Sequence, residues 1–239
     1  MSTIRRWSAL AVLVLPVLLV SIDMSVLGIA VPALSAALDP SAAQLLWIID
    51  IYSFLLAGLL VLMGGLGDRV GRKRLLLIGA PAFGLASVIA AFATSPEMLI
   101  LARALLGIGG ATLMPSTLGL IRTIFSQARE RRMAIAVWGA AFSGGAAIGP
   151  VMGGLLLEHF WWGSVFLINV PVVIVGIVLI ARLAPESRGR QGRPDLLGMA
   201  LSVVALVLLT YGIIRAGDSG SWARPDVWGT MALGVLGLA

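Results

Sequence analysis

A succession of long apolar segments limits what this chain can fold into more than any other feature of its sequence. These segments cover residues 7–31, 45–66, 75–93, 98–121, 133–157, 165–183 and 196–214, and an eighth begins at 227. About 20 helical residues, at roughly 1.5 Å each, cross the hydrocarbon core of a bilayer, which is about 30 Å thick. Only 12% of the residues are charged, about half the share in soluble domains. We therefore predict an all-α integral membrane protein rather than a soluble domain.

Composition also excludes several classes of function. The chain contains no cysteine and a single histidine, His159, which leaves no thiolate or histidine cluster for a metal and no Ser-His-Asp triad. We therefore expect no metal, no cofactor and no enzymatic activity. The net charge is +6, but the arginines lie in loops between the apolar segments. The charge therefore predicts membrane topology and argues against nucleic-acid binding.

Basic residues are confined almost entirely to alternate loops. The N-terminus and the loops after the second, fourth and sixth apolar segments carry Arg5, Arg6, Arg69, Arg72, Lys73, Arg74, Arg122, Arg129, Arg131, Arg132, Arg182, Arg188, Arg190 and Arg193. The opposite loops carry only Arg215 and Arg224, together with acidic residues such as Asp39, Glu97 and Glu158. Because basic loops remain on the cytoplasmic side, we predict a multi-pass protein of a bacterial inner membrane with a cytoplasmic N-terminus.

The first apolar segment follows two arginines, as the apolar part of a secretory signal peptide does. Its apolar run is longer than the roughly 7–15 residues of such a signal, and it contains Asp23. We therefore expect an uncleaved first helix. At the other end, residues 236–239 are still apolar, which predicts a truncated chain with further helices missing.

Four motifs in these segments and loops narrow the prediction. The loop after the second segment reads GGLGDRVGRKR (64–74), in which glycines permit a tight turn and Asp68 can pair with basic neighbours. The fourth segment contains RALLGIGGA (103–111), the fifth contains GAAIGPVMGG (145–154), and the first contains DMSVLGIAVP (23–32). Small residues at a spacing of four, as in the fifth segment, allow helices to pack closely.

These motifs resemble those of the major facilitator superfamily. The loop is similar to its G-x-x-x-D-R-x-G-R-K/R signature, the fourth segment to its arginine motif, and the fifth to its G-x-x-x-G-P-x-x-G-G antiporter motif. The 23–32 stretch, with LWIIDIYS (46–53) and FLINVP (166–171), resembles fourteen-helix drug:proton antiporters, and among them the multidrug exporters of quaternary ammonium compounds. Ser25 and Gly28 stand where that group has Thr and Asn.

The resemblance implies two six-helix bundles with two helices inserted between them, each bundle consisting of inverted three-helix repeats. Residues 1–183 would form the N-terminal six-helix transmembrane bundle, and 184–195 a cytoplasmic linker. Residues 196–239 would form the inserted seventh helix and part of the eighth, and the C-terminal bundle would be missing. We expect the full-length protein to be a monomer, and this chain alone to insert without transporting.

Three ionisable residues lie inside apolar segments, namely Asp23, Asp50 and Arg103. A charge in hydrocarbon costs at least about 2.5–3.5 kcal/mol, so such residues usually face a cavity or a charged partner and carry function. Asp23 lies roughly 14 Å below the outer end of its helix, near the midplane where transporters bind their substrates. We predict that it binds a proton or a cation, with a purely structural ion pair as the alternative. Arg103 lies at a depth that permits an ion pair or a relay with Asp50 or Asp23, and the resemblance links it to proton coupling, with a structural role as the alternative. Asp50 is likewise predicted to bind a cation or a proton.

Asp50 lies three residues after Trp47 and four before Phe54, so the three side chains share one helix face. A carboxylate between aromatic rings suits a quaternary ammonium ion through charge and cation–π attraction, and we predict a substrate cavity there. The alternatives are that Asp50 pairs with an arginine and that Trp47 and Tyr52 belong to the aromatic belt at the membrane interface.

The remaining candidate residues follow from the motifs and from side-chain flexibility. Two adaptable side chains are candidates for lining the substrate cavity, although lipid or core contact is the default for this residue type; they are Met24 and Met114. The signature loop would gate the cytoplasmic side through Gly64, Asp68, Arg69, Gly71 and Arg72. The antiporter motif would supply a close, bendable helix contact through Gly145, Gly149, Pro150, Gly153 and Gly154.

We therefore expect proton-coupled efflux of lipophilic and quaternary ammonium cations, and of other drugs, by alternating access. The partners would be cationic drugs, protons and the lipid bilayer, with the proton motive force in place of a cofactor. Two alternatives remain open. One is an exporter of a neutral or anionic product such as an antibiotic, and the other is a non-transporting membrane sensor or assembly protein.

Overall fold

The computed structural model describes residues 2–189, 196–219, 222 and 224–238, and these residues are almost entirely helical. The helices are α1 (Thr3–Leu38), α2 (Ala42–Val70), α3 (Arg72–Ala91), α4 (Pro96–Ile124), α5 (Ala128–His159), α6 (Ser164–Leu167), α7 (Asn169–Leu183), α8 (Leu196–Ser219) and α9 (Pro225–Leu238). This described part of the chain contains no strand. The all-α prediction is confirmed.

Six helical stretches in the described ranges are long and apolar enough to cross a membrane. They are α1 to α5 and Ser164–Leu183, which combines α6 and α7, and they coincide with the first six predicted segments. Most helices are longer than the predicted apolar segments. Their ends are set by capping residues, which lie outside those segments. Helix α1, for example, begins after Ser2, whose hydroxyl oxygen accepts a hydrogen bond from the backbone nitrogen of Arg5 at 3.4 Å.

Helices α8 and α9 coincide with the seventh and eighth predicted segments. Their crossing of the membrane stays a prediction. Residues 190–195, half of the predicted 184–195 linker, lie outside the described residues.

The six-span bundle is built from two main helix pairs. Helix α1 runs along α5 and α2 runs along α4, while α3 contacts both α4 and α7. Helix α1 also contacts α4 and α7, so it borders most of the bundle interior. Large apolar side chains on the outside, such as Ile78, Leu85 and Leu101, are 60–64% exposed. An apolar exterior of this extent is what contact with lipid requires.

Glycines on α5 explain how closely it approaches α1. A Cβ atom added at Gly145 would lie 2.8 Å from Cβ of Ser21, and one added at Gly153 would lie 2.8 Å from Cγ2 of Val26. At Gly149 an added Cβ atom would also collide with α1. Contacts this short would force the helices apart. In this structure these three glycines therefore let α5 pack closely against α1.

The other two residues of the antiporter motif, Pro150 and Gly154, do not take part in this close contact in the same way as the three glycines. No heavy atom lies within 4 Å of the position that a Cβ atom at Gly154 would occupy, so packing does not require glycine there. Helix α5 continues without interruption through Pro150. The predicted bend at this proline stays a prediction.

The basic loops lie together at one end of the bundle, which we call the basic end. Arg6 near the start of α1 pairs with Glu130 near the start of α5, with 2.6 Å between Nη1 and Oε2. Lys73 at the start of α3 donates from Nζ to the carbonyl oxygen of Ala181 near the end of α7, at 2.7 Å. These contacts join the start of α1 to the start of α5, and the start of α3 to the end of α7.

Candidate functional site

A salt bridge between α1 and α4 lies in the interior of the bundle. The Nη1 atom of Arg103 is 2.6 Å from Oδ2 of Asp23, and the two side chains are 1% and 0% exposed. Burial removes both charges from water, so each depends on the other and on hydrogen bonds for compensation. Of the two carboxylates that the sequence offers to Arg103, Asp23 and Asp50, the structure pairs it with Asp23.

Helix α2 completes the surroundings of Arg103. Its Nε atom donates to the backbone carbonyl of Ile48 at 3.1 Å, and its guanidinium lies 4.4 Å from the centroid of the Tyr52 ring, within reach of cation–π attraction. Tyr52 is fully buried, and its hydroxyl donates to the carbonyl oxygen of Val20 at 3.4 Å. Placing Tyr52 in an interfacial aromatic belt is therefore wrong, because α2 turns this residue toward α1 and α4.

Two neutral polar side chains, from α7 and α3, surround the other oxygen of Asp23. The Nδ2 atom of Asn169 donates to Oδ1 of Asp23 at 3.2 Å and to Oγ of Ser87 at 3.1 Å. Ser87 in turn donates to the carbonyl oxygen of Phe83 at 2.9 Å. Asn169 and Ser87 are both fully buried. Five helices thus contribute to one group of buried polar side chains, which we call the buried cluster: Asp23, Arg103, Tyr52, Asn169 and Ser87.

Neither Asn169 nor Ser87 receives a role from the motifs alone. The signal for Asn169 is its position, because it is the single asparagine of the chain and lies in an apolar segment, where an amide needs a hydrogen-bond partner. Serine gives no such signal, since its hydroxyl can bond to a carbonyl of its own helix, as that of Ser87 does.

Asp50 lies apart from the buried cluster, in a pocket between α2 and α8 that we call the aromatic pocket. This pocket has a volume of about 170 Å³ and is lined by Ala43, Leu46, Trp47, Asp50, Phe54, Tyr211 and Arg215. The rings of Trp47 and Phe54 meet edge to face, with their centroids 6.4 Å apart. The shared face predicted for Asp50, Trp47 and Phe54 is therefore present. Helix α8 adds a wall that the sequence did not predict.

The charges around the aromatic pocket are unevenly paired. The Nε atom of Arg215 lies 3.6 Å from Oδ2 of Asp226 on α9, and the Nε atom of Arg224 lies 3.0 Å from Oδ1 of the same side chain. The hydrogen bond from Arg224 lowers the pKa of Asp226. Within the described ranges, no residue forms a salt bridge or hydrogen bond with the side chain of Asp50. Asp50 thus supplies an uncompensated carboxylate to the pocket.

The two methionine candidates lie outside the aromatic pocket. Met24 is 40% exposed on the surface of α1. Met114 lines a separate apolar pocket of about 290 Å³, together with Leu60, Val61, Pro115, Leu118 and Trp138. The structure therefore does not bring Trp47, Phe54, Met24 and Met114 into one cavity, because α2 presents its aromatic face to α8 while Met114 lies on α4 beside the opposite half of α2.

The signature loop forms a tight turn at the basic end. Gly71 has a φ angle of +116°, a backbone conformation that glycine adopts at little cost. The Nε atom of Arg72 donates to Oδ1 of Asp68 at 2.7 Å. Its Nη1 atom donates to the carbonyl oxygen of Gly119 at 2.9 Å and to the hydroxyl of Thr123 at 3.2 Å. The predicted pairing of Asp68 is present, and Arg72 ties the turn to the end of α4.

Two other residues of the signature loop have less specific surroundings. Arg69 lies in the last turn of α2, where a positive charge interacts favourably with the helix dipole. A Cβ atom added at Gly64 would meet only Cβ of Pro115, at an ordinary contact distance of 3.6 Å. Packing therefore gives no reason for glycine at this position.

In the part of the chain that the structure describes, no group of three histidine, aspartate or glutamate side chains converges on a metal site.

The segment that follows α7 closes over the signature loop. The carbonyl oxygen of Ser187 accepts a hydrogen bond from the backbone nitrogen of Arg72 at 2.9 Å, and that of Asp68 accepts one from the backbone nitrogen of Gly189 at 2.9 Å. The sequence predicts a linker over 184–195, and this stays a prediction. In its described part, 184–189, Ser187 and Gly189 are hydrogen-bonded to the signature loop.

Comparison with known proteins identifies the family of this chain. A family model described as Major Facilitator Superfamily matches residues 13–238. The chain is 52% identical over 217 residues to the multidrug efflux pump LfrA of Mycolicibacterium smegmatis. The matched residues make up 90% of this chain and 43% of that protein. It is 51% identical over 237 residues to the methyl viologen resistance protein SmvA of Salmonella typhimurium. These residues make up 98% of this chain and 48% of that protein. The chain thus spans about half the length of these relatives.

A solved structure has a similar fold. It is the crystal structure of a bacterial homologue of the human lysosomal transporter Spinster, in an inward-facing and unoccupied conformation. The TM-score is 0.59 with 18% sequence identity, and the match covers 100% of this chain and 60% of that one. At this identity the likeness concerns the fold alone.

Proposed function

This chain belongs to the Major Facilitator Superfamily, and on that premise we propose that the full-length protein exports lipophilic and quaternary ammonium cations in exchange for protons. It is a multi-pass membrane protein and a transporter rather than an enzyme. Similarity to a multidrug efflux pump and to a methyl viologen resistance protein supports drugs as its substrates. The observation that carries the proposal is the buried salt bridge between Asp23 and Arg103.

The buried salt bridge supports proton coupling for an electrostatic reason. Arginine stays protonated in proteins, so within this pair a proton is gained or lost only at Asp23. Protonation of Asp23 leaves the charge of Arg103 uncompensated in an apolar interior, which is costly unless α1 and α4 rearrange. Proton binding and release at Asp23 would therefore favour different arrangements of the bundle, as alternating access requires.

The aromatic pocket supports a cationic substrate. Asp50 supplies an unpaired negative charge, and Trp47 and Phe54 supply rings that attract cations. The volume of about 170 Å³ is below the roughly 300–1,000 Å³ of pockets that hold drug-sized ligands. In this conformation the pocket would hold a cationic head group. Met24 and Met114 would offer adaptable contacts to the larger apolar parts of a drug at other stages of its passage.

The distribution of charge supports an orientation and a source of energy. We place the basic end in the cytoplasm of a bacterial inner membrane, since basic loops stay on that side. The signature loop, which Arg72 ties to α4, would gate this side during alternating access. The membrane potential supplies about 2.3 kcal/mol per proton charge for every 100 mV. We expect the full-length protein to work as a monomer without a cofactor.

Ethidium transport in everted membrane vesicles that contain the full-length protein tests the proposal. Energised vesicles with the wild type should accumulate the dye, and a protonophore should abolish this accumulation. Asp23→Asn should abolish it as well, because no proton can then be exchanged at that position. Asp23→Glu, which keeps a carboxylate, should retain part of it. Immunoblots of the membranes separate a loss of transport from a loss of protein.

Each alternative function has its own outcome in these vesicles. Absence of cationic dye transport at every gradient would show that the cation exporter is wrong. Proton-driven accumulation of a neutral antibiotic by the same vesicles would then favour the product exporter. Absence of any proton-coupled flux would favour the sensor or assembly protein.

A further inference from the structure

The buried amide of Asn169 is hydrogen-bonded on one side and unpaired on the other. Its Nδ2 atom donates to Oδ1 of Asp23 at 3.2 Å and to Oγ of Ser87 at 3.1 Å, which uses both of its hydrogens. Its Oδ1 atom is buried and has no hydrogen-bond partner among the described residues. A buried acceptor without a partner costs free energy. A purely structural role therefore explains only half of this side chain.

The opposite orientation of the same amide suits a different state of Asp23. The nitrogen and oxygen of an amide occupy nearly the same volume, so a half-turn about the Cβ–Cγ bond exchanges them without repacking. After this turn, Oδ1 of Asn169 faces Oδ1 of Asp23 and Oγ of Ser87. A carboxylate has no hydrogen to donate to that oxygen, whereas a protonated carboxyl group has one.

We propose that Asn169 is a positioning residue that binds Asp23 in both of its proton states by turning its amide. With Asp23 deprotonated, Asn169 donates from Nδ2, as in this structure. When a proton binds to Oδ1 of Asp23, the amide turns and its oxygen accepts a hydrogen bond from the new carboxyl hydrogen. The same oxygen also accepts a hydrogen bond from the hydroxyl of Ser87, which then no longer donates to the carbonyl of Phe83. This inference rests on the proposed exchange of a proton at Asp23.

The neighbours of Asp23 explain why the proton binds on the side of Asn169. Arg103 of α4 contacts Oδ2 of Asp23 and carries only donors, so it cannot accept a hydrogen from the carboxyl group. Tyr52 of α2 is the other titratable group beside this pair, and its hydroxyl donates to Val20. In the described ranges of α3, α5, α6 and α7, no charged or titratable side chain contacts Asp23, and α7 supplies Asn169.

A direct spectroscopic test follows the side-chain amide of Asn169. The full-length protein would be labelled with ¹³C in the asparagine side chains, and infrared difference spectra would be recorded across a pH series. The Asn169 amide band is the asparagine signal that disappears in Asn169→Leu. The Asp23 carboxyl band is the signal that disappears in Asp23→Asn.

We expect the Asn169 amide band to shift at the same pH midpoint as the Asp23 carboxyl band. In Asp23→Leu, which adds no labelled asparagine, the amide band should no longer depend on pH. An Asp23 carboxyl band that appears on acidification while the amide band stays unchanged would overturn the inference and leave the proposed function standing. Absence of an Asp23 carboxyl band throughout the pH range in which transport changes would overturn both.

Transport by variants in the everted vesicles gives an independent test. Asn169→Leu has a similar shape without hydrogen-bonding groups, and we expect a loss of ethidium accumulation of about tenfold or more with a displaced pH midpoint. Asn169→Thr carries a hydroxyl that donates or accepts by rotation, and it should keep more transport and the wild-type midpoint.

Thr112→Val is the matched control for these variants. It removes another buried hydroxyl, whose one hydrogen-bond partner among the described residues is the carbonyl of Gly109 in its own helix, at 2.7 Å. It should leave both readouts unchanged. Equal losses in Asn169→Leu and Asn169→Thr, both with the wild-type pH midpoint, would overturn the positioning role.

Discussion

Two salt bridges of nearly the same length differ in their exposure to water. Asp23 and Arg103 are 2.6 Å apart and 0% and 1% exposed, whereas Asp68 and Arg72 are 2.7 Å apart and 40% and 19% exposed. In the interior, water cannot compensate either charge, so removal of one partner costs about 3–5 kcal/mol. At the surface, water replaces the lost partner, and an exposed pair contributes only about 0.2–1 kcal/mol.

The difference shows that the length of a salt bridge is a poor guide to its role. The interior pair joins residues 80 positions apart in the sequence, so it forms only when α1 and α4 are packed together. The surface pair joins residues four positions apart, and its significance comes from the contacts of Arg72 with Gly119 and Thr123. We therefore expect the interior pair to depend on the arrangement of the bundle and the surface pair to depend on closure of the basic end.

The largest effect is expected when the interior pair is broken. Asp23→Asn leaves Arg103 charged and unpaired among apolar helices, so the free energy of unfolding should fall by about 3–5 kcal/mol. Denaturant unfolding of the full-length protein in micelles measures this loss. A second substitution, Arg103→Gln, should restore much of it because no buried charge then remains. If Asp23→Asn alone were as stable as the wild type, the buried pair would contribute no more to stability than the surface pair.

The next largest effect is expected when α1 is displaced without a change of charge. Gly149→Ala places a Cβ atom against Ser25 of α1, and overpacking of this kind costs about 1–3 kcal/mol. Gly154→Ala is the matched control on the same helix, since nothing lies within 4 Å of its Cβ position. The control should be as stable as the wild type or up to about 1 kcal/mol more stable, because alanine favours helix. Equal losses in the two variants would contradict the close α1–α5 contact.

A similar loss is expected when the turn of the signature loop is strained. Gly71→Ala forces a φ angle of +116° on a residue with a side chain, at a cost of about 1–3 kcal/mol. Its Cβ atom would also lie 2.8 Å from Oε1 of Glu186. Trypsin cleavage at the basic end should therefore become faster than in the wild type. Gly64→Ala is the control, and a cleavage rate that is the same in both variants would show that the turn is not under this constraint.

The smallest effect is expected for the surface pair itself. Asp68→Asn should lower the free energy of unfolding by about 0.2–1 kcal/mol, and the loss should shrink as salt is added, because exposed charges are screened over about 10 Å at 0.1 M. A double-mutant cycle with Arg72→Gln isolates this coupling. A coupling energy as large as that of the interior pair would mean that exposure does not separate the two regions.

The membrane-spanning helices could be predicted because their cause is local. In lipid, an apolar segment must satisfy its backbone hydrogen bonds within itself, so length and composition suffice. The spacing of Gly145, Gly149 and Gly153 likewise predicted a close helix contact, since small residues permit one wherever a partner is present. Only the structure identifies α1 as that partner.

The buried cluster could be predicted only in part because five helices assemble it. Asp23 and Arg103 stand out in the sequence, where the cost of burying a charge is visible. Tyr52 and Ser87 carry no such cost, and their roles depend on which helix face turns inward. The contact of Ser187 with the signature loop escapes prediction for a related reason, since it lies 115 residues from Arg72.

Proton movement coupled to cation movement is the measurement that tests the role of the interior pair most directly. The full-length protein would be placed in proteoliposomes that enclose a pH-sensitive dye, and an ethidium gradient would be imposed on the wild type, Asp23→Asn and Asp68→Asn. We predict proton movement in the wild type, slower proton movement in Asp68→Asn, and none in Asp23→Asn. Proton movement in Asp23→Asn at the wild-type rate, and with the wild-type dependence on ethidium, would contradict a proton site at Asp23.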